Sequence, residues 1–588
     1  MRSGDDSPIH SELKRGRARW LMEWVCLALI VPVAGQYICI RAFGQSSPSE
    51  NQANVVRGTV VNAITNQPLG RALVYSTDNR YATMTDGEGQ FEFTMPKAEV
   101  ENTGGSISFG LGQGSSGVGE SLWLMARKPG FLGPEERGPT GAAPGTEVTL
   151  TLVPEGLIKG RISLPTGDLV RGINVQILSR QVQDGSPHWN MMSSVMTNSI
   201  GEFRFAELRP GTYKVFTREY MDNDPEATVP GGQQYGYPPV YYPNATDIAA
   251  ASTIQLTGGQ IFQADMTLVR QPYYPVKIPV INPEQSGGMN VTVSPQGQRG
   301  PGYSLGYSRG KDEIDGQLPN GKYLVEGATY AQNSSTSGAV HLVVAGAPAE
   351  GPTMVLARNN SIRVNVKEEF TSNETGGTAY WSDGRHNYPM RGPRRDLQIR
   401  AETMDDFGSQ RGAYVRPPAD PNDDSMVLEN LAPGRYWLRL TASRGYVASA
   451  TMGGVDLLRE PLVVVPGAGS SIDVTMRDDT AEIEGTLLGI ATSPVDAGRP
   501  PSQAFLDCIP LPDSAGQFLQ MGVSSDGKFD YRMVAPGVYR VIAFRSRKSD
   551  LPYRDAEAMK AYETKGQVVH FAPGQKVTLQ LQAISDSE

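Results

Sequence analysis

The chain has 588 residues, among them 66 glycines and 43 prolines, and a formal net charge of −9 at pH 7. Glycine and proline together exceed their average usage of about 12 %, which excludes long helices, coiled coils and helical repeats. Aromatic and β-branched residues are spread along the whole sequence, which excludes bulk disorder. The negative charge repels phosphate backbones, so we expect no nucleic-acid partner. The composition predicts an all-β chain with many turns.

Residues 1–44 have the pattern of an export segment. Lys14, Arg15, Arg17 and Arg19 precede a mostly apolar run over residues 20–40, as in a secretory signal peptide. An uncleaved N-terminal membrane anchor is the alternative, because about 20 apolar residues can span a bilayer. Both interpretations export the remainder to the periplasm, cell surface or extracellular space. We expect no other membrane contact.

Cysteine usage agrees with an exported bacterial protein. Cys26 and Cys39 lie in the export segment, so only Cys508 remains in the exported part. A single thiol cannot form an internal disulfide, and stability must then come from core burial.

After a polar linker at 45–54, a pattern of three elements recurs. An opening strand (56–61, 157–162, 481–486) is followed by an Asp/Asn/Gly turn into an aromatic strand (85–93, 198–205, 525–531). A Pro-Gly turn then leads into a strand whose tyrosine alternates with apolar residues (210–215, 433–438, 536–541, and a weaker copy at 320–325). The alternation places the core-facing residues on one face: Tyr213, Val215, Tyr436, Leu438, Tyr539 and Val541.

A repeat of about 100 residues suits one β-sandwich of some seven strands. The spacing predicts five tandem Ig-like β-sandwiches, at 55–154, 155–270, 271–357, 358–478 and 479–588. The signals of the third are degenerate. In the first, a Gly-rich insert at 104–119 replaces the Pro-Gly turn. Apolar residues at helical spacing predict a short helix over 554–565 that covers the last sandwich.

Several of these segments resemble a known family. The opening strand at 56–61, the segments at 67–74 and 126–131, and the Asp86-Gly87-Glu88-Gly89 turn are similar to the carboxypeptidase regulatory-like domain. The second unit is similar through its Gly-Glu-Phe-Arg-Phe and Pro-Gly-Thr-Tyr elements. The segment at 241–246 and the tail from 555 to 584 resemble large exported proteins of Acidobacteria that string such domains together. This resemblance implies a transthyretin-like sandwich, grouped with carbohydrate-binding-like folds, and no particular chemistry.

The residues argue against catalysis. A zinc peptidase needs a His-x-x-Glu pair and a distant histidine, and no histidine of this chain has Glu three residues later. The glycines at 112–117 match a dinucleotide loop, but a strand rather than a helix follows them. Acidic clusters at 222–226 and 420–424 fit solvated turns better than calcium loops. We therefore expect no catalytic residue, no cofactor and no metal ligand.

Five aromatic residues are candidate contact sites for a glycan or a partner. Trp437 occupies the repeat position held elsewhere by Lys214, Leu324 and Arg540, on the face opposite the core tyrosines. Its indole suits a domain interface or a sugar-stacking surface. A second aromatic loop, stiffened by prolines, carries Tyr235, Tyr237, Tyr241 and Tyr242.

The sequence thus predicts a non-catalytic structural or adhesive scaffold of the bacterial cell envelope, with polysaccharide or an envelope protein as partner. An array of carbohydrate-binding modules is the first alternative. A regulatory partner of a secreted hydrolase or peptidase is the second.

Overall fold

The fold is that of a computed structural model. It describes residues 55–94, 122–133, 139–142, 145, 147–222, 232–283, 288–298, 300–330, 335–372, 380–382, 387–407, 412–420, 422–467, 469–489, 504–511, 517–524 and 526–584. The export segment, the polar linker, the Gly-rich insert, Cys26 and Cys39 lie outside these residues. No helix within the described ranges is both long and apolar enough to cross a bilayer. Nearly all regular structure in these ranges is β-strand, which confirms the predicted fold class.

The described residues of sandwich 1 form eight strands: β1 Val55–Asn62, β2 Leu73–Ser76, β3 Ala82–Met84, β4 Gln90–Thr94, β5 Leu122–Arg127, β6 Phe131–Leu132, β7 Thr140–Ala142 and β8 Glu147–Pro154. Its two sheets have the orders β4-β1-β8-β6 and β3-β2-β5-β7. β1 and β8 run parallel, and their inward residues form a core that includes Val60, Val74, Phe91 and Leu150.

The next ten strands are β9 Gly156–Ser163, β10 Asn174–Gln183, β11 Ser186–Met196, β12 Glu202–Leu208, β13 Gly211–Thr217, β14 Tyr220–Met221, β15 Gln234–Tyr237, β16 Ile254–Leu256, β17 Ile261–Gln263 and β18 Met266–Thr267. Sandwich 2 pairs the sheet β11-β10-β13-β16 with the sheet β12-β9-β17, and β18 also pairs with β9. Ile158, Val175, Phe203 and Val215 lie in its core.

Sandwich 3 adds β19 Gln271–Ile281, β20 Met289–Pro295, β21 Gly306–Ser308, β22 Glu313–Pro319, β23 Gly321–Tyr330, β24 Ser335–Val344, β25 Ala349–Glu350, β26 Met354–Val355 and β27 Ala357–Arg358. One sheet has the order β20-β23-β24-β27 and the other β14-β15-β19-β22-β21, with β25 and β26 on β19. The β14–β15 hairpin lies within the predicted second domain, yet its strand β15 pairs with β19 of sandwich 3. These two sandwiches therefore share a sheet.

Sandwich 4 contains β28 Asn360–Glu369, β29 Tyr380–Ser382, β30 Asn387–Pro389, α1 Pro393–Asp396, β31 Leu397–Thr403, β32 Ala413–Tyr414, β33 Met426–Leu431, β34 Gly434–Ala442, β35 Tyr446–Met452, β36 Val455–Asp456, β37 Leu462–Val464 and β38 Ile472–Arg477. Its sheets have the orders β33-β28-β38-β35-β36 and β32-β31-β34-β37, and β29 pairs with β30. Ile399, Leu428, Leu438 and Val474 lie in its core.

Sandwich 5 contains β39 Ala481–Leu488, β40 Phe505–Pro510, β41 Leu519–Gly522, β42 Lys528–Val534, β43 Gly537–Phe544, α2 Ala556–Met559, a 3-10 turn Lys560–Tyr562, β44 Gln567–Phe571 and β45 Lys576–Ile584. The strands follow the order β41-β40-β43-β45-β39-β42, with β44 on β43. The predicted helix over 554–565 is shorter than expected: it begins after Asp555, whose carboxylate accepts from two backbone N–H groups, and it ends before the left-handed Gly566.

The Pro-Gly turns end in the same tyrosine contact in four sandwiches. The hydroxyls of Tyr213, Tyr323, Tyr436 and Tyr539 each donate to the carbonyl oxygen four residues earlier, at 2.7–2.9 Å. All four rings are buried, and so are the apolar residues two positions later, which confirms the predicted core face. The hydroxyl ties the turn to the strand while the ring fills the core.

Three opening strands contain a glycine for which a side chain has no room. A Cβ on Gly58, Gly160 or Gly485 would lie about 2 Å from a backbone carbonyl oxygen of the facing segment and within 3 Å of a phenylalanine ring. That phenylalanine comes from the aromatic strand of the same sandwich. The glycine and the ring thus fit together as a repeated pair.

Candidate functional site

The most elaborate contact between sandwiches is formed by the tip of the β10–β11 hairpin. Asp184 and Gly185 connect the two strands, and both have a positive φ, of 47° and 76°. Two left-handed residues in a two-residue loop define a type I′ turn, for which Asp-Gly is a favoured pair. The turn carries Asp184 out of sandwich 2 and toward residues of sandwiches 4 and 5.

Asp184 is enclosed by donors from both of those sandwiches, and its side chain is only 5 % exposed. Tyr553 donates its hydroxyl to one carboxylate oxygen, and Arg554 donates Nη2 to the other at 3.0 Å. Arg554 also donates Nε to the Asp184 carbonyl at 2.9 Å and its backbone N–H to the Gly185 carbonyl at 3.0 Å. From sandwich 4, Arg439 approaches within 3.6 Å. We call this set the Asp184 clamp.

Aromatic rings hold the clamp residues in place. The Arg554 guanidinium lies 4.5 Å from the centroid of the Trp437 ring, a cation–π distance. Tyr553 stacks on Phe518 with centroids 4.1 Å apart and planes within 5°. Burial and the Asp184 charge raise the pKa of Tyr553, so its hydroxyl stays protonated and remains a donor.

A second contact joins β11 to the loop after β31. The backbone N–H of Trp189 donates to the Asp406 carbonyl at 2.9 Å, and His188 Nδ1 lies 3.3 Å from the Asp405 carbonyl. Trp189 and Phe407 pack against a small apolar cluster of sandwich 2. The Lys214 ammonium lies 5.2 Å from the centre of the Trp189 ring, and burial together with nearby Arg180 lowers the pKa of this lysine.

A cleft between β11 and β31 is lined by Gln183, His188, Asn190, Arg400, Glu402 and Asp406. Its volume is about 20 Å³, which is room for about one water molecule. Burial and the charge of Asp184 raise the pKa of Glu402. Among the described residues, this geometry suits a joint between sandwiches.

The structure places Trp437 in the joint and the four tyrosines elsewhere. Tyr237 and Tyr241 are buried, stacked on Tyr220 and Phe216, so their rings offer no surface to a ligand. Two others are half-buried: Tyr235 lies under the Arg270 guanidinium at 4.3 Å, and Tyr242 packs edge-on against Phe262, with ring centroids 5.7 Å apart.

The clamp aspartate and the exposed Trp123 were not among the predicted contact residues. The Asp184-Gly185 pair between two alternating strands was the available signal for the hairpin tip. Trp123 is 49 % exposed on the outer face of β5, two residues from the exposed Met125. In the register, Trp123 faces Gly141 and Met125 faces Tyr75, so Met125 and Tyr75 are the neighbours of the indole along this sheet.

The described histidines and acidic residues that were considered as catalytic or metal-binding groups lie at the surface, in a contact between sandwiches or in structural turns. His570 is exposed on β44, whereas His10 and His386 lie outside the described residues. In the second acidic cluster, Asp423 accepts from the Ala419 N–H and pairs with Arg416, as a structural turn does. Within the described ranges, no group of three or more His, Cys, Asp or Glu side chains is placed to hold a metal.

No family model matches the chain, and no curated protein matches its sequence. The resemblance to the carboxypeptidase regulatory-like domain therefore stays a prediction from its motifs. Among solved structures, the Bacillus anthracis TIE protein aligns at 10 % identity and TM-score 0.14, covering 72 % of this chain and 73 % of its own. A streptococcal ancillary pilin aligns at 9 % identity and TM-score 0.15, covering 53 % of this chain and 99 % of its own.

The shaft pilin SpaA from Lactobacillus rhamnosus GG aligns at 10 % identity and TM-score 0.17, covering 37 % of this chain and 98 % of its own. TM-scores this low do not establish a shared arrangement of strands. The sandwich assignment rests on the sheets and cores of this chain itself.

Proposed function

We propose that this protein is a non-catalytic, exported scaffold of the bacterial cell envelope. Its sandwiches belong to the carboxypeptidase regulatory-like type and hold contact surfaces at fixed spacing. The observation that carries the proposal is the Asp184 clamp, in which one hairpin tip of sandwich 2 engages sandwiches 4 and 5.

The clamp has the physical properties of a permanent joint. A carboxylate that is 5 % exposed is costly unless it is paired, and here Tyr553, Arg554 and Arg439 supply the partners. Loss of the Asp184 charge leaves Arg554, itself 18 % exposed, without its partner. We expect a cost of about 2–3 kcal/mol, below the 3–5 kcal/mol of fully buried pairs. A flexible string of domains needs no such joint.

Asp184→Asn tests the proposal sharply. Asn-Gly also favours a type I′ turn, so the hairpin persists and only the charge is lost. We expect a larger radius of gyration in small-angle X-ray scattering and faster proteolysis near residues 545–555. Asp168→Asn, at an exposed turn of the same sandwich, is the matched control and should behave as wild type. An unchanged radius in Asp184→Asn would show that the clamp does not hold the sandwiches.

Export is tested separately. Fractionation of a bacterium that expresses the whole chain should find it outside the cytoplasm, and deletion of residues 1–44 should retain it inside. The molecular mass of the exported protein distinguishes a cleaved signal peptide from an anchor. Cytoplasmic localisation of the whole chain would contradict the envelope role.

Carbohydrate binding is the second candidate function, and the exposed Trp123 face favours it. A large ring left half in water, beside Tyr75 and Met125, suits stacking on sugar rings. Retention on a panel of immobilised polysaccharides should be lost in Trp123→Ala. Trp437→Ala is the control, because that ring already packs on Arg554. Absence of retention, or retention unaffected in Trp123→Ala, would count against this function.

A further inference from the structure

A buried carboxylate lies beneath the segment that carries the clamp residues. Asp507, on β40, is 0 % exposed. Among the residues that the structure describes, no donor meets hydrogen-bond geometry with either carboxylate oxygen, although the neighbouring Gln520 side chain lies near enough to favour the charged form. An ionised carboxylate in such a place is strongly disfavoured, because its lost hydration is not replaced.

The alternation of β40 separates Asp507 from the main core of sandwich 5. Leu506 and Cys508 face that core, so Asp507 shares the opposite face with Ile509. On this face, Ile509 belongs to an apolar layer built from β40, β43 and residues 551–562. We call residues 545–562 the cover; its buried or half-buried members in this layer are Leu551, Tyr553, Met559 and Tyr562.

The strands on either side of β40, and the cover, each place a residue near Asp507. In the register, β41 places Gln520 beside it and β43 places Ile542. The Gln520 side chain accepts from Arg547 Nε at 2.9 Å and donates to the Lys548 carbonyl at 3.2 Å, so its amide binds the start of the cover. Arg547 is the charged group of the cover that acts on Asp507. Further along β43, Arg540 donates to the Glu563 carbonyl.

We propose that Asp507 is a proton-controlled latch: when protonated it keeps the cover seated, and its ionisation loosens the cover and releases the Asp184 hairpin tip. The coupling arises because Tyr553 and Arg554 are part of the cover and also hold Asp184. This inference rests on the clamp of the proposed function.

The titration falls in a useful pH range. Burial raises the pKa of Asp507 to about 7. The Gln520 side chain and the Arg547 charge both lower this pKa, but they offset only part of the rise. Because the folded pKa is raised, the folded state binds the proton more tightly than the unfolded state. The added stability is fully present below about pH 4, is lost as pH rises toward 7, and changes little above it.

Hydrogen exchange of the whole chain, corrected for intrinsic rates, tests the latch at pH 5.5 and pH 8. In the wild type, protection of residues 545–565 and of the hairpin tip 183–186 should fall about 30-fold between the two, because it falls about tenfold per pH unit up to about pH 7 and then levels off. Asp507→Asn has the shape of the protonated acid and cannot ionise, so its protection should be the same at both pH values.

Arg547→Gln supplies a second variant at an exposed position. Removal of its positive charge should raise the pH at which protection levels off, which a purely structural role would not do. Protection of 545–565 that is independent of pH in the wild type, or an Asp507→Asn profile equal to wild type, would overturn the proposal. If protection of the cover changes with pH while protection of the hairpin tip does not, the proposed coupling between them would be overturned. A tip unprotected even at pH 5.5 would refute the clamp itself.

Discussion

The tyrosine of the Pro-Gly turn gives a prediction whose size follows from one hydrogen bond. Tyr539 is 1 % exposed, and its hydroxyl donates to the Ala535 carbonyl at 2.9 Å. Tyr539→Phe keeps the ring in the core and removes the hydroxyl. A net hydrogen bond is worth about 1 kcal/mol, and the carbonyl of half-buried Ala535 loses this donor, so we expect a loss of about 1–2 kcal/mol.

Hydrogen exchange of the central amides of β43 measures this loss without assuming that the chain unfolds in one step. A loss of about 1–2 kcal/mol corresponds to exchange about 5- to 30-fold faster in sandwich 5. Tyr380→Phe, at a side chain that is 61 % exposed, is the control and should change nothing. Exchange in β43 within twofold of wild type would refute the role given to the hydroxyl.

Three further predictions concern a clamp contact, a core contact and acid stability. Gly185→Ala places a Cβ about 2.7 Å from the Tyr553 ring and should loosen the clamp more than Gly167→Ala, which shares the positive φ but meets open space; proteolysis near 545–555 compares them. Gly485→Ala should unfold sandwich 5, measured as lost protection of β39, whereas Gly522→Ala meets no atom within 4 Å and should not. Burial raises the pKa of Asp478, but hydrogen bonds from residues 371 and 372 outweigh it and lower that pKa overall. Stability from Asp478 is therefore present above about pH 4 and falls progressively below it. Asp478→Asn should be less stable at pH 7 in urea denaturation, and the difference should shrink as the pH falls from about 4 to about 2.

The repeated elements of the fold were predictable because their causes are local. A Pro-Gly turn presets the backbone of the following strand, and alternation then places Tyr213, Tyr436 and Tyr539 on the buried face. The hydroxyl contact four residues back was not predicted, although it follows from the same turn. Gly58, Gly160 and Gly485 lie in the predicted opening strands, but the sequence does not show that a side chain has no room there. That follows from the carbonyl oxygen and the phenylalanine ring that face each glycine.

The clamp was not predictable because its partners come from distant parts of the sequence. Asp184 meets Tyr553 and Arg554 some 370 positions later, and no local pattern encodes that encounter. Trp437 was singled out as an outward ring on β34, and the structure shows that Arg554 occupies one of its faces. The β14–β15 hairpin likewise joins sandwich 3 through pairing that a division of the chain into consecutive domains does not anticipate.

One repeat position shows how a set of similar sandwiches acquires a specific assembly. The residue after each core tyrosine points away from the core, so it is free to differ between sandwiches. Lys214 approaches Trp189 and bonds the Ile248 carbonyl, Trp437 packs on Arg554, and Arg540 bonds the carbonyl of Glu563. The repeated residues build each core, whereas the residues that depart from the repeat attach loops and neighbouring sandwiches to it. Of these three contacts, only that of Trp437 joins two sandwiches, so a substitution there should leave sandwich 4 folded and weaken its attachment to sandwich 5.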